Sequence, residues 1–220
     1  MSNKNKYCQL MKPGYDYHIY NQGNNGENIF KRREDRIRFD VYLKFYMDDV
    51  VHFYTGSLQK NHFHYVIQLK STEEILAKVD KDELLQDFVE RLDSDDEEYI
   101  ASRVVSELFR RFFMGFAIYF NLKYKRSGSL FRKSFKRIWL HDEEYLRNCI
   151  VYVDRNITHH NPRISYKTYE WSYYHLFLEP GYIESLKGTF FDFERIFGNK
   201  ANFIYLHERK DLYDKNYSIE

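Results

Sequence analysis

The sequence has few cysteines, no long apolar run and no N-terminal apolar segment. Cys8 and Cys149 are its two cysteines, which excludes a disulfide framework and favours reduced thiols in a cytoplasm. The longest apolar run, residues 112–120, is far too short to span a bilayer. Residues 1–6 lack the apolar segment of a secretory signal. Together these absences predict a cytoplasmic protein without a membrane span.

The chain also lacks an excess of charge of either sign, since its net charge is only +1. By itself this value argues against binding to nucleic acid, but the cations are concentrated between residues 121 and 137, where no carboxylate occurs, whereas residues 73–98 are strongly acidic. Tyr124, Phe131 and Phe135 lie among the cations. Because phosphate contacts give affinity and aromatic rings stack on unpaired bases, this basic strip predicts a DNA track. The basic strip comprises Lys123, Lys125, Arg126, Arg132, Lys133, Lys136 and Arg137.

Two alternatives accompany that prediction. The aromatic residues of the strip can instead belong to the core, with the cations on a solvated turn and strand. A second basic cluster, which begins with Arg32 and Arg33 and continues to Arg36 and Arg38, is the other candidate for DNA binding.

A histidine pair lies in a segment with the pattern of a strand. Residues 62–69 are rich in aromatic and β-branched side chains and contain no glycine or proline. Because side chains alternate between the faces of a strand, His62 and His64 share one face and Phe63 lies on the other. Two imidazoles on one face can converge on one cation. The alternative is a pair of half-exposed histidines without a ligand.

A tyrosine and an asparagine lie one turn apart in a predicted helix. Asp142, Glu143 and Glu144 open an apolar-periodic stretch, as expected at a helix N-terminus, where the macrodipole favours negative charge. Tyr152 and Asn156 are four residues apart and therefore lie on one face. A phenol and an amide in that arrangement can face one point in space. The alternative is that Tyr152 is a packing residue, as most helical tyrosines are.

Five sequence blocks in order resemble single-tyrosine HUH transposases, in particular the REP-associated tyrosine transposase group and related small insertion-sequence transposases. They extend from about Tyr17 to Tyr174. The blocks are Y-H-I-Y-N-Q-G-N-N from Tyr17, N-H-F-H-Y-V-I from Asn61, G-S-L-F-R-K-S-F-K from Gly128, E-Y-L-R-N-C-I-V-Y-V-D-R-N from Glu144 and Y-E-W-S-Y-Y from Tyr169.

The resemblance implies a role for each candidate residue. The family's histidine–hydrophobic–histidine motif falls on His62 and His64, its nucleophilic tyrosine on Tyr152, and its third metal ligand on Asn156. A divalent ion, Mg or Mn, would bind the scissile phosphate of single-stranded or hairpin DNA, and the tyrosine would take the 5′ phosphate in a covalent bond that preserves the energy for rejoining. Imidazole ligands alone would also suit Zn.

The sequence departs from the family pattern near these motifs. Ile157 follows Asn156 where the family usually has proline, Lys60 stands where proline usually precedes the histidine motif, and Tyr173 replaces the second serine of W-S-S-Y. These changes concern loop geometry and choice of substrate more than the metal site.

The order of segments predicts an α+β fold in which helices cover a sheet mainly on one face. The resemblance implies that this sheet is antiparallel and ferredoxin-like, with the histidines on a central strand. We expect a catalytic domain over residues 1–160 and a C-terminal extension over residues 161–220 that packs on it. The predicted strands are residues 17–20, 50–54, 62–69 and 134–140, with a hairpin break at Gly56 and Ser57; the predicted helices are residues 33–48, 72–91, 99–123, 142–156 and 190–197.

Three classes of function fit the sequence. The favoured class is a metal-dependent transposase that cleaves and rejoins single-stranded or hairpin DNA. A second is a domesticated relative that binds hairpin DNA without turnover. A third is a nickase for replication initiation, for which Tyr145, seven residues before Tyr152, would be the second catalytic tyrosine. The resemblance also leaves a homodimer open, because the family includes both dimers and apparent monomers.

Overall fold

The computed structural model describes residues 9–133 and 135–209, which form a four-stranded sheet covered by helices on both faces. In chain order the main elements are β1 (Asp16–Gln22), α1 (Arg33–Met47), β2 (Val51–Leu58), β3 (His62–Leu69), α2 (Thr72–Val79), α3 (Glu83–Glu90), α4 (Glu97–Tyr124), β4 (Lys136–Trp139), α5 (Glu143–His160), α6 (Tyr182–Ser185), α7 (Phe193–Phe197) and α8 (Lys200–Glu208).

The strands lie in the order β2-β3-β1-β4, and each pair of neighbours is antiparallel. With helices between β1 and β2 and between β3 and β4, this is the split βαβ topology of ferredoxin-like folds. The predicted α+β class and antiparallel sheet are therefore confirmed. β3, which carries the histidine pair, lies between β2 and β1, as expected for a central strand.

One face of the sheet packs against α1, α2 and α4. Phe39 of α1 is buried between Phe112 and Phe116 of α4, with ring centroids 4.9 and 5.0 Å away. Phe63 and Tyr65 of β3 point into the same layer. This layer holds the longest helix of the described chain, and its aromatic side chains form the first of two cores.

The other face of the sheet packs against α5 and the C-terminal part of the chain. Tyr54 and Val66 lie in this second core, together with Ile150 of α5 and Phe203 of α8. The prediction that helices lie mainly on one face therefore needs correction. The strands are buried on both sides because α5 and the segment that follows it cover the second face. The division of the chain after residue 160 stays a prediction, although α5 ends at His160.

Two predicted features are not observed. The predicted helix over residues 72–91 is two helices, because Asp80 ends α2 and Asp82 caps α3 by accepting a hydrogen bond from the Leu85 N–H at 3.1 Å. Gly56 is not at a hairpin break but inside β2. The Tyr65 ring lies on it so closely that a Cβ would come within 2.3 Å, and the chain turns later, between Gln59 and His62.

The predicted strand at residues 134–140 is observed as β4, and its predicted first residue, Ser134, lies outside the described residues, as does Cys8. Within the described residues, no helix combines the length and apolarity needed to cross a membrane.

Candidate active site

The candidate site lies on the face of the sheet that α5 covers. Strand alternation places His62 and His64 of β3 on this face, and the register of β1 places His18 and Tyr20 beside them. Lys136 of β4 is paired with Tyr20, which is paired with His64. A lysine, a tyrosine and a histidine therefore form one row across three strands.

Helix α5 presents a stripe of polar side chains to these histidines. Its N-terminus is capped by Asp142, which accepts a hydrogen bond from the Tyr145 N–H at 2.7 Å. Tyr152, Asn156 and His160 follow at spacings of four residues and so lie along one face of the helix. The structure thus brings the predicted nucleophile and the predicted third ligand to the same sheet face as the histidine pair.

The ring distances define how closely the two elements meet. The ring of Tyr152 is buried, and its centroid lies 5.9 Å from that of His64 and 6.1 Å from that of His18. The ring of His160 lies 4.6 Å from that of His62. All these contacts connect residues far apart in the chain, so they are consequences of tertiary packing rather than of local sequence.

Asn156 is buried and oriented by a neighbour from the β2–β3 turn. Its Oδ1 accepts a hydrogen bond from Gln59 Nε2 at 2.8 Å and lies 3.2 Å from His62 Nε2. Its Nδ2 is buried and has no hydrogen-bond partner within residues 9–133 and 135–209. Gln59 fixes the amide so that its oxygen faces the histidine, which is the orientation a ligand oxygen requires.

His64 and His18 are coupled through their ring nitrogens. His64 Nδ1 lies 2.9 Å from His18 Nε2. Burial lowers the pKa of His18 to about 3 and holds the pKa of His64 well below its usual range, the latter with added repulsion from neighbouring histidines. Both rings are therefore neutral at pH 7, which is the form that binds metals. When His64 donates from Nδ1 to His18, its Nε2 keeps a lone pair.

His62 is only half-buried and is oriented by its preceding residue. Its Nδ1 lies 2.7 Å from Asn61 Oδ1. With Nδ1–H donating to that oxygen, Nε2 carries a lone pair toward Asn156 Oδ1 at 3.2 Å. Two ligands of one octahedral ion, each about 2.1 Å from it, lie about 3 Å apart. The spacing of these two acceptors therefore fits a shared cation.

The donor set of His62, His64 and Asn156 fits a divalent metal on these observations. The described part of the chain contains no group of three His, Cys, Asp or Glu side chains placed to hold a metal. The third donor here is an amide, which lies outside that set of side chains. Two nitrogens and one amide oxygen would leave positions for phosphate oxygens and water.

The cations of the basic strip lie in different surroundings. Lys136 lies on the site face with its Nζ 5.6 Å from the centre of the Tyr20 ring. Arg137, the next residue of β4, is paired with Ile19 on the opposite face and lies 5.0 Å from the Phe135 ring. The side chains of Lys125, Arg132 and Lys133 are exposed.

Two other cations of the strip have structural partners. Lys123 donates to the buried carboxylate of Asp35 at 2.7 Å, and this hydrogen bond helps to hold the pKa of that carboxyl below its usual value despite its burial. Arg126 pairs with Glu27 at 2.7 Å. These contacts tie the end of α4 to the start of α1 and to the preceding loop.

The aromatic residues of the strip belong to the core, as the alternative interpretation has it. Phe131 is buried, and Phe135 packs on Phe109 with ring centroids 4.8 Å apart. The hydroxyl of Tyr124 donates to Asp35 at 2.7 Å. The interpretation of these rings as a stacking platform is therefore wrong, because the rings fill the space beside the sheet and α4.

The second basic cluster lies at the start of α1. Arg32 is exposed, and Arg33 lies 3.5 Å from Glu170 and over the Trp171 ring at 5.4 Å. Arg36 also lies over Trp171 and donates to the Leu58 carbonyl at 3.3 Å. The segment around Trp171, in the C-terminal part of the chain, thus contacts this second basic cluster.

Tyr145 lies about 10 Å along α5 from Tyr152. Its ring is 5.2 Å from that of His141, and it lines a cleft of about 990 Å³ with Tyr15 and Trp139. Tyr145 therefore lies in a cleft beside β4, the edge strand of the sheet.

Several residues of the site were not identified from the sequence, among them Asn61, which orients His62. His18 and Gln59 orient the candidate ligands, and His160 contacts His62. His18 lies in a strand-like run and His160 is four residues after Asn156, so periodicity offered a signal for both. Gln59 offered none, because its role depends on a turn that meets α5 only in the folded chain.

No protein-family model and no curated protein matches the chain. A solved structure, that of a REP-associated tyrosine transposase bound to a REP hairpin, is similar to it with 14% sequence identity and a TM-score of 0.49. The similarity covers 82% of this chain and 87% of that one. It is a distant structural relationship.

Proposed function

We propose that this protein is a single-tyrosine HUH strand transferase, a transposase that cleaves and rejoins single-stranded or hairpin DNA in the cytoplasm. The observation that carries the proposal is the meeting of Tyr152 and Asn156 of α5 with His62 and His64 of β3 on one face of the sheet. A nucleophile, a candidate metal site and a cation at Lys136 thus lie together around a buried tyrosine.

The proposed step is an in-line displacement at phosphorus. The Tyr152 oxygen bonds to the scissile phosphorus, the bond to the 3′ oxygen breaks, the proton leaves the phenol and the 3′ oxygen takes up a proton to become a hydroxyl. Free tyrosine has a pKa near ~10 and is a weak nucleophile at neutral pH. A bound Mg²⁺ or Mn²⁺ would neutralise charge on the phosphate and orient it. The 5′-phosphotyrosine bond then preserves the energy for rejoining.

The neighbouring side chains support this chemistry by fixing the reacting groups. His18 orients His64, Asn61 orients His62 and Gln59 orients Asn156. Preorganised groups of this kind lower the cost of reaching the transition state because they do not reorient during the reaction.

The nucleophile assignment is tested with Tyr152→Phe, which keeps the ring and deletes the hydroxyl. Wild-type protein, Tyr152→Phe and Tyr145→Phe are incubated with end-labelled hairpin DNA that carries a single-stranded flank, in the presence of Mn²⁺. We expect a denaturant-stable protein–DNA adduct from the wild type and from Tyr145→Phe, and none from Tyr152→Phe. DNA binding, measured by fluorescence anisotropy, should survive in all three.

The other outcomes would either contradict the nucleophile assignment or favour a different function. An adduct from Tyr152→Phe equal to that of the wild type would contradict the assignment. Loss of the adduct in Tyr145→Phe would favour a two-tyrosine replication nickase. Tight binding of the hairpin by wild-type protein with no adduct under any divalent ion would favour a binding protein without turnover.

A further inference from the structure

Three buried side chains beside α5 form a connected group that the proposed reaction does not use. The Thr55 hydroxyl of β2 donates to Asp154 Oδ1 of α5. The other carboxylate oxygen, Oδ2, lies 2.9 Å from His207 Nε2 of α8. All three residues are fully buried, and we call them the Asp154 cluster. Asp154 therefore ties α5 both to a strand of the sheet and to the C-terminal helix.

The hydrogen bonds of the Asp154 cluster require one proton between Asp154 and His207. His207 Nδ1 lies 2.7 Å from the Phe203 carbonyl oxygen, which only accepts, so Nδ1 carries a hydrogen. Without a further proton, the lone pair of Nε2 would face a carboxylate oxygen at 2.9 Å. A proton shared by these two atoms converts repulsion into a hydrogen bond and makes the pair neutral as a whole. Buried polar groups are tolerated when they are hydrogen-bonded in this way.

The order of the three groups is that of an anchor and not of a nucleophilic triad. In a Ser–His–Asp triad the histidine contacts the nucleophile and takes up its proton. In this protein Asp154 stands between Thr55 and His207, and the Thr55 hydroxyl is fully buried. The Asp154 cluster therefore holds elements together.

The anchor lies on the flank of α5 opposite the candidate site. Asp154 is midway between Tyr152 and Asn156 in sequence. At 3.6 residues per turn it points about 160° around the helix axis from each of them. Tyr152 and Asn156 lie on the flank that meets the histidines of the site, whereas Asp154 lies on the flank that meets β2 and α8. A rotation of α5 about its axis therefore moves both flanks together.

Strand β2 and the turn after it hold α5 at two consecutive points. Thr55 binds the Asp154 carboxylate, and Gln59 donates to Asn156 Oδ1 at 2.8 Å. The backbone of α5 is held at the same place, because the Ser172 hydroxyl donates to the Asp154 carbonyl oxygen at 3.1 Å. Contacts on both flanks of one helical turn leave α5 a single rotational setting.

We propose that Asp154 is a positioning residue, which fixes the rotation of α5 through Thr55 and His207 and thereby places Tyr152 for attack on the phosphate. A rotation of about 10° moves a side-chain atom about 6 Å from the helix axis by about 1 Å. A displacement of that size can lower a rate by about 100-fold. The effect on rate rests on the proposed reaction, but the effect on the place of Tyr152 does not.

The first test measures the place of Tyr152 without DNA or metal. In selectively labelled protein, the nuclear Overhauser effect between the Tyr152 and His64 rings reports their separation, which is 5.9 Å between centroids. Asp154→Ala should weaken this signal. Asp154→Asn is the matched control and should keep it, because the amide oxygen can accept from Thr55 and the amide nitrogen can donate to His207 Nε2.

The second test measures the single-turnover rate of adduct formation at saturating hairpin DNA and Mn²⁺. Asp154→Ala should lower this rate by about 100-fold and leave hairpin affinity unchanged, whereas Asp154→Asn should keep the rate. Thr55→Val, which deletes one hydroxyl without changing the shape of the side chain, should lower the rate by a smaller factor. Phe197→Ala, at a buried ring of α7, is the structural control. It should lower the melting temperature but keep the rate at a temperature where it is folded.

The outcomes separate positioning from general stability and from the proposed reaction. A folded Asp154→Ala with the wild-type ring signal and rate would overturn the proposal, and so would an equal loss in Asp154→Asn or in Phe197→Ala. If Asp154→Ala does not fold, an unchanged ring signal and rate in Thr55→Val would overturn it. A wild type that forms no adduct, together with a ring signal weakened only in Asp154→Ala and Thr55→Val, would refute the proposed reaction and support the placement of Tyr152 by Asp154.

Discussion

At the scale of single residues, the candidate site depends on side chains that orient other side chains. Asn61, His18 and Gln59 each hold one of the three candidate ligands through a hydrogen bond of 2.7 to 2.9 Å. Such outer partners fix tautomer and ring orientation, and their loss typically lowers metal affinity by about 10–100-fold. The two histidines of the pair also differ in burial, since His64 is buried and His62 is half-buried.

Binding of Mn²⁺ tests the ligand assignment directly. We expect His62→Ala and Asn156→Ala to abolish high-affinity binding measured by electron paramagnetic resonance of free Mn²⁺, and Gln59→Ala to weaken it by about 10–100-fold. His175→Ala, at a half-buried histidine elsewhere, should leave it unchanged. Undiminished affinity in the double variant His62→Ala/His64→Ala would show that the pair is structural. Because His64 is buried, its variant also needs a melting-temperature measurement.

At the scale of elements, β4 and the segment before it direct their cations to different surroundings. Lys136 and Arg137 are adjacent in sequence, but strand alternation places them on opposite faces of the sheet. Lys123 and Arg126 hold Asp35 and Glu27, which reduces their availability to a phosphate. We therefore expect DNA to contact Lys136, which lies on the face of the site, and the exposed Arg132 and Lys133 that precede β4.

Salt dependence of DNA binding tests this division. Each phosphate contact removed from a single strand should flatten the slope of log affinity against log salt by ~0.7. We expect that decrease for Lys133→Ser and for Lys136→Ser, with no change in the preferred sequence. Lys187→Ser, at an exposed lysine between α6 and α7, should keep the parental slope. If every variant kept the salt slope of the parent protein, DNA binding would instead be assigned to Arg32 and Arg33.

At the scale of the whole molecule, the sheet is enclosed between two cores. The second core depends on the C-terminal part of the chain, where Phe203 of α8 is fully buried and contacts Phe177 and Phe193. The same region reaches α5 through His207, whose Nε2 lies 2.9 Å from the buried carboxylate of Asp154. The helix that carries Tyr152 is therefore packed between the sheet and the C-terminal part of the chain.

Truncation of Phe203 tests whether the C-terminal region stabilises the part of the chain that carries the candidate site. We expect Phe203→Ala to lower the free energy of unfolding by about 3–5 kcal/mol, because it removes a buried ring and leaves a cavity. Tyr205→Ala, at a 58% exposed residue of the same helix, is the control and should have a much smaller effect. The measurement is urea unfolding followed by tryptophan fluorescence. Two separate transitions, with only one shifted, would show that the two cores unfold independently.

The sequence by itself determined the local elements and the faces of their side chains. The period of two places His62 and His64 together on β3, and the period of four places Tyr152 and Asn156 together on α5. The acidic cap of α5 and the glycine after α7 were also readable, because caps depend on nearby backbone groups. These features involve interactions within a few residues.

Tertiary structure alone decided which of these features meet. His62 and Asn156 are separated by 94 positions in the chain, and Lys123 and Asp35 by 88. Whether such groups come together depends on sheet order and on which face each helix covers, and local periodicity contains neither. For the same reason the sequence could not show that Phe131 and Phe135 fill the core, that Gly56 lies under Tyr65, or that Gln59 holds Asn156. The contact between Gln59 and Asn156 exists because the second core closes α5 over the sheet, whereas Phe131, Phe135 and Tyr65 take their places in or against the first core beside α4.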